Sequence, residues 1–247
     1  MMNRESVNKA RSLYYGLFSK MFVFTTRSDR YEGVLKAIDV MIENPMDENS
    51  GEALKEVKEF IVTLGESAII QEYDDIFHNP SFPVIRTTAS YYDEGVESGK
   101  KRVVVKNFLA KTKIRRDEEN FKENEDSVGF IFTFMHELVE LIISEQKEYE
   151  NIQHCVFVEV LNDFIDEFIV LLYEHKMAKI YKSLAIVLNA FIAFERMYFE
   201  VAKPPLKEKK RTQKPVEPIS QAEARRRAEN KAKKAAGLLE KQERVTR

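Results

Sequence analysis

The stretches best placed to do chemistry are few, and each falls short of a known pattern. "GVESGKK" at Gly95–Lys101 has the outline of a phosphate loop. Such a loop needs four residues between its glycines, then Lys and a Ser/Thr, and a strand ahead of it. Here three residues separate Gly95 from Gly99 and no hydroxyl follows the lysines, which leaves a surface turn. In "HELVE", His136 and Glu140 lie one helical turn apart like the two histidines of a zinc helix, but Glu140 stands where the second histidine is required. His78, His154 and His175 have no ligand spacing to His136, so no metal is expected. Asp75 and His78 form an i, i+3 pair of the kind that bridges iron in a helical bundle. No second pair accompanies it, and a solvated helix end is the simpler reading. No Ser or Cys carries a nucleophile motif around it. The residues point away from catalysis, and neither a catalytic residue nor a cofactor is expected.

Any site must be held by helices. The 247 residues are 44% hydrophobic with 17 Phe, enough for a core, while 8 Gly and 7 Pro supply too little turn punctuation for an all-β or Gly-rich α/β fold. The lone Cys155 excludes an internal disulfide and suits a reducing compartment. The N-terminus, "MMNRESVNKARSLYYGLF", has charges where a secretory peptide has its apolar run, and no segment reaches the roughly 18 apolar residues of a membrane span. A cytoplasmic protein is expected. The net charge of −2 hides a division: from Lys203 onward there are 15 Lys/Arg against 6 Asp/Glu, leaving 24 against 35 before it. The body is thus strongly acidic and the tail strongly basic.

Periodicity predicts a first helix through residues 5–24, with Leu13, Leu17, Met21 and Phe24 in register. A second follows Ser28, capped there or at Asp29, and stops before Pro45. A third sets Leu54, Val57, Ile61 and Leu64 on one face of 51–64, and a fourth runs from Gly65 to Phe77. "RVVVKNFLA" is β-branched enough for a strand but fits the pattern better as a helix, followed by the charged connection "IRRDEENFKENE". "DSVGFIFTFMHELVELIIS" is apolar on several faces, as a buried helix should be. Residues 153–175 form one helix with Phe157, Val160, Leu161, Phe164, Phe168, Leu171 and Leu172 on its apolar stripe. Glu159, Asp163, Asp166 and Glu167 lie opposite. A last helix over 177–202 carries Tyr181, Leu184, Leu188, Phe191 and Ile192. The expected fold is a single all-α helical-bundle domain over residues 1–203, followed by a Pro-containing basic linker and tail over 204–247. Within that tail Ser220 and Glu223 spell a capping box, although a helix there has almost no apolar face.

"QEYDDIFHNPSFPVIRTTASYY" breaks this helical pattern and carries a family likeness. "EYDDIFHNP" resembles E-Y-x-x-L-F-x-x-P of the TorD/DmsD redox-enzyme maturation chaperones: Glu72, Tyr73, Phe77 and Pro80 match, and Ile76 replaces Leu. Ser90 and Tyr92 fit the following P-Y-x-S-x-Y, with Thr87 and Thr88 in place of its Pro and Tyr. "DSVGFIFTFM" resembles D-H-x-G-x-x-L-x-F-M through Asp126, Gly129, Phe134 and Met135, with Ser127 for His and Phe132 for Leu. "FVEVLNDFIDEF" is similar to F-x-x-H-L-x-x-W-x-x-x-F at Phe157, Leu161 and Phe168, with Val160 for His and Phe164 for Trp. "IYKSLA" keeps Tyr181, Leu184 and Ala185 of F-Y-x-x-L-A. The elements occur in family order over about residues 10–200; the basic tail lies outside the resemblance.

The resemblance implies an all-helical, non-enzymatic chaperone. Its ligand would be the twin-arginine signal peptide, or the apo-form, of a molybdenum- or tungsten-cofactor enzyme such as formate dehydrogenase, an S- or N-oxide reductase, or nitrate reductase. Two arginines followed by an apolar run call for carboxylates beside an apolar groove. Glu159, Asp163, Asp166 and Glu167 offer one acidic wall; Glu72, Asp74 and Asp75 offer another. Either row also has the form of a solvated helix face. Pro80 and Pro83 force an extended crossing, so that Tyr73, Phe77, Phe82, Tyr91 and Tyr92 would line a cleft, or instead complete the core. The motif positions Pro80, Ser90, Asp126, Ser127 and Phe164 join them as expected peptide contacts. A homodimer stays open. The tail is a polycation that could meet RNA or ribosomes, or fold back on the acidic body, or simply solubilise. A nucleic-acid-associated adaptor acting through it is the alternative function.

Overall fold

The computed structural model describes residues 3–25, 27 and 29–205. Its helices are α1 (Arg4–Phe22), α2 (Val34–Glu43), α3 (Glu48–Leu64), α4 (Glu66–Phe77), α5 (Ala89–Glu94), α6 (Lys100–Ala110), α7 (Val128–Ile143), α8 (Glu150–Val156), α9 (Asn162–Glu174) and α10 (Ile180–Tyr198). A π-helical turn, Phe157–Leu161, joins α8 to α9. There is no strand among the described residues, and the one β-bridge pairs Thr88 with Ser127. The all-α expectation holds, and no described helix is long and apolar enough to cross a membrane.

Side-chain caps open three of the helices, α1, α3 and α7. Asn3 accepts from Glu5 N at the head of α1 (3.3 Å), and Asp47 with Ser50 forms a capping box on α3. Ser127 Oγ accepts from Phe130 N at the head of α7 (3.2 Å). α1 lies along α7, and α10 packs between α3 and α9. At their meeting Phe22 stands against Phe168, with ring centroids 5.3 Å apart, and Phe18 against Phe132, also 5.3 Å. Tyr15 meets Phe191 edge-on at 4.8 Å. Inside this apolar seam sits an ion pair, Arg11 of α1 with Glu195 of α10, both side chains fully buried.

Several boundaries differ from the periodicity reading. α1 stops at Phe22, leaving Phe24 half-buried beyond it. α2 begins at Val34 after Gly33, whose φ of 79° suits a glycine, and not at Asp29; Ser28 lies outside the described residues. Leu64 is exposed, because the face it shares with Leu54, Val57 and Ile61 loses its partner at the end of α3. "RVVVKNFLA" is helical, as α6. The helix expected over 153–175 runs without a break from Glu150 to Glu174, with a π turn at Phe157–Leu161 inside it. The last helix starts at Ile180, three residues later than expected. The linker from Lys207 and the Ser220–Glu223 pattern lie outside the described residues.

Candidate functional site

The stretch from Glu72 to Tyr92 binds helices together. Glu72 is buried, and its Oε1 accepts from Lys179 N (2.7 Å) and Tyr181 N (2.8 Å). A carboxylate on α4 therefore caps α10, which has no side-chain cap of its own. Burial raises the pKa of Glu72 while those amides oppose the rise. Glu72→Ala should strip the cap and cost about 1–3 kcal/mol in urea unfolding, whereas Glu72→Gln keeps an acceptor and should cost less. Equal losses would show that the carboxylate's acceptors do not matter. Tyr73 and Phe77 are core residues, contrary to the cleft reading: Tyr73 packs on Phe77 at 4.8 Å, and Phe77 lies parallel to Phe168 at 6.3 Å. An apolar helix face next to a proline stop was free to turn inward, and here it did.

The acids next to them serve the helix end. Asp74 meets His78 Nδ1 at 3.3 Å, and Asp75 accepts from Asn79 Nδ2 at 2.8 Å. Pro80 is exposed, and Phe82 is half-buried outside the main core. Pro83 O meets His175 Nε2 at 2.9 Å, tying the crossing to the end of α9. Ser90, Asp126 and Ser127 form a second tie. Asp126 Oδ2 accepts from Ser90 N at 3.0 Å, its carbonyl accepts from Ala89 N at 2.8 Å, and Ser127 caps α7. Burial raises the Asp126 pKa, and its Oδ1 is buried with no hydrogen-bond partner among the described residues. Asp126 and Ser127 are therefore enclosed, not presented on a surface.

Other expected residues do come together on the outside, where α5 meets α9. Tyr92 stacks on the buried Phe164 with centroids 5.3 Å apart, and donates to Arg86 O at 2.8 Å. Tyr91, 40% exposed, meets Tyr92 edge-on at 5.8 Å. Glu167 is exposed and close enough to help burial raise the Tyr92 pKa. The rest of the acidic row is partly engaged. Asp163 pairs with Lys101 at 2.5 Å, while Asp166 pairs with Arg196 at 2.7 Å and Lys203 at 3.4 Å. Glu159 is exposed, with its carbonyl taken by Lys101 Nζ. Farther along the same outer face of α9, Val170 and Tyr173 are about half exposed. Lys182 Nζ lies 4.8 Å from the Tyr173 ring and also lines a groove of about 720 Å³ between α3 and α10. Phe60, Leu64, Ala178 and Ile186 supply its apolar wall, and Glu56 and Glu59 its acidic edge.

A family model described as the nitrate reductase delta subunit matches residues 43–170, more than half of the chain, from the end of α2 into α9. The chain belongs to this family. It is a TorD-like redox-enzyme maturation chaperone, as the ordered motifs implied. A crystal structure from Archaeoglobus fulgidus, described as a redox enzyme maturation protein, is 20% identical with a TM-score of 0.46. It covers 75% of this chain and 93% of its own. No curated protein matches the chain.

Within the delta-subunit match, the motif positions that sequence reading placed at a ligand are in large part those that hold helices together: Glu72, Tyr73, Phe77 and Asp126. The near-motifs resolve as local structure. His136 Nδ1 lies 3.2 Å from Ser12 Oγ, and Ser12 Oγ donates to Glu140, so "HELVE" fastens α7 to α1. Among the described residues no group of three or more His, Cys, Asp or Glu could hold a metal. "GVESGKK" is a turn: Gly95, with φ 73°, closes α5, and Glu94 accepts from Lys100 N at 2.7 Å. Sequence reading missed the α3–α10 groove, because its walls come from helices far apart in the chain. The sequence carried no signal for it: Leu64 reads as one more residue of the α3 apolar face, and only the fold exposes it.

Proposed function

We propose that this chaperone binds the twin-arginine signal peptide, or the apo-form, of a molybdenum- or tungsten-cofactor oxidoreductase in the cytoplasm until the cofactor is inserted. The observation that carries the proposal is the run of surface from the α5–α9 face into the α3–α10 groove. Acidic residues Glu159 and Glu167 stand at one end of it, and a groove with an apolar wall of Phe60, Leu64, Ala178 and Ile186 lies at the other. The arginines would face the acidic end, flanked by Tyr91 and Tyr92, and the apolar run would follow α9 past Val170 and Tyr173 into the groove. From Glu167 to Tyr173 along α9 is about 9 Å at 1.5 Å per residue, which a few extended residues cross.

Magnitudes assign the parts their tasks. Micromolar binding is about 8 kcal/mol, and exposed ion pairs give about 0–1 kcal/mol each. The arginines therefore set orientation and on-rate, and burial of the apolar run at roughly 25 cal/mol per Å² supplies most of the affinity. Calorimetry of the full chain against twin-arginine peptides should show saturable micromolar binding to one of them, with a double Arg→Lys peptide weakened only a few-fold. Leu64→Gln removes an exposed groove side chain and should weaken binding about tenfold or more at unchanged stability. Glu159→Lys with Glu167→Lys should weaken it several-fold, less so at high salt. Wild-type affinity in Leu64→Gln would remove the groove from the site. Absence of binding to every such peptide would overturn the reading itself.

A further inference from the structure

A second cleft, of about 410 Å³, opens between the connection after α6 and the outer side of α7. That volume suits a small molecule. Half-buried Phe121 and Leu141 line it together with Phe130 and Phe134, which are almost wholly buried; Phe121 and Phe130 meet edge to face at 5.1 Å. Lys113, Arg115 and Arg116 stand on its rim. Arg115 Nη1 donates to Thr112 O (2.7 Å) and Ile114 O (2.8 Å), which fixes the guanidinium on the connection. No carboxylate pairs with Arg115 or Lys113 among the described residues. Arg116 is committed otherwise: it pairs with Glu125 at 3.0 Å and donates to Phe121 O, so it holds Phe121 in place.

Two carboxylates also reach the cleft. Asp117 accepts from Asn120 Nδ2 (2.7 Å) and from the backbone amides of Glu119 and Asn120, so its charge is turned into the connection. Glu137 lies on the α7 rim. Two cations with no carboxylate partner beside an apolar wall run against the charge of a body with 24 Lys/Arg and 35 Asp/Glu before Lys203. The cations do not serve an arginine-bearing peptide, which they would repel.

We propose that this cleft binds a small aromatic anion, its ring against Phe121 and Leu141 and its carboxylate, phosphate or sulfonate on Arg115 and Lys113. Arg presents paired donors to such a group, and Lys adds a point charge. The site is built from other elements than the proposed peptide surface, so either can fail without the other.

The test titrates the full chain with anilinonaphthalene sulfonate and with its uncharged parent, phenylnaphthylamine, following fluorescence at low and high salt. Saturable binding of the sulfonate is expected, with the uncharged parent bound about tenfold more weakly and the gap closing as salt screens the cations. Lys113→Ala with Arg115→Ala removes two exposed side chains and two hydrogen bonds to the connection, so the thermal midpoint should fall by no more than about 2–4 °C. The sulfonate should bind about tenfold more weakly to that variant and the uncharged parent equally well. A saturating twin-arginine peptide should leave the sulfonate titration unchanged. Wild-type sulfonate affinity in the double variant, or equal affinity for the charged and uncharged probes, would overturn the proposal by reducing the cleft to an apolar patch.

Discussion

Replacing Arg11 by Met should lower the stability of the body by about 3–5 kcal/mol, a large part of the roughly 5–15 kcal/mol that holds a domain folded. Arg11 Nε and Nη2 donate to the two oxygens of Glu195 at 2.6 and 2.8 Å, Tyr15 OH donates to Glu195 Oε2 at 2.5 Å, and Arg11 Nη1 donates to Asn8 Oδ1 at 3.1 Å. The Tyr198 ring covers the guanidinium 3.8 Å from its carbon. Burial alone would push the Arg11 pKa down, but the carboxylate beside it wins and holds it above its ordinary value. Removing the cation leaves a fully buried carboxylate with one tyrosine hydroxyl for company. It must then take up a proton or draw in water, and either costs stability. Arg11→Met with Glu195→Leu removes both charges and should recover more than half of the loss, because the pair's own net worth is small once its desolvation is counted. Urea unfolding with an unchanged slope is the measurement. A single-variant loss under about 1 kcal/mol would mean that water already reaches the pair. The thermal midpoint should follow at roughly 2–4 °C per kcal/mol.

Nothing in "NKARSLYYGL" marks Arg11 for burial, since its partner comes 184 positions later and single-helix periodicity cannot see across that distance. The same limit explains the other misplacements. Glu72 reads as part of a solvated acidic row, yet the amides it serves belong to α10. Asp163 and Asp166 read as free carboxylates because Lys101 and Arg196 stand on other elements. Tyr73 and Phe77 beside a proline stop carried no sign of direction; the aromatic partners that draw them inward, Tyr181 and Phe168, lie about a hundred residues on. What was legible was local. Gly65 closes α3, and the apolar stripe from Phe157 to Phe168 is buried. The ordered motifs were legible too, and they named the family while leaving open what each motif residue touches.

Gly129 separates two arguments that predict opposite signs. By helix propensity alone, Gly129→Ala near the start of α7 should stabilise the protein, by up to about 1 kcal/mol. Packing says otherwise. A Cβ at Gly129 would lie 2.6 Å from Phe22 O, 2.8 Å from Phe22 C and 2.8 Å from Val23 Cα, all backbone atoms that no rotamer change can move aside. The end of α1 must shift, and its carbonyls are already committed: Met21 O accepts from Tyr181 OH at 2.7 Å and Phe22 O from Tyr73 OH at 3.4 Å. Displacing them loosens hydrogen bonds of about 1 kcal/mol each and strains the Phe18–Phe132 and Phe22–Phe168 contacts, at an overpacking cost of about 1–3 kcal/mol. We therefore expect Gly129→Ala to destabilise by about 3 kcal/mol and Gly129→Val by more, read from urea midpoints. Stabilisation by Ala would mean that α1 and α7 can part at little cost. The glycine of the D-x-x-G motif would then be a matter of chain flexibility and not of how closely two helices approach.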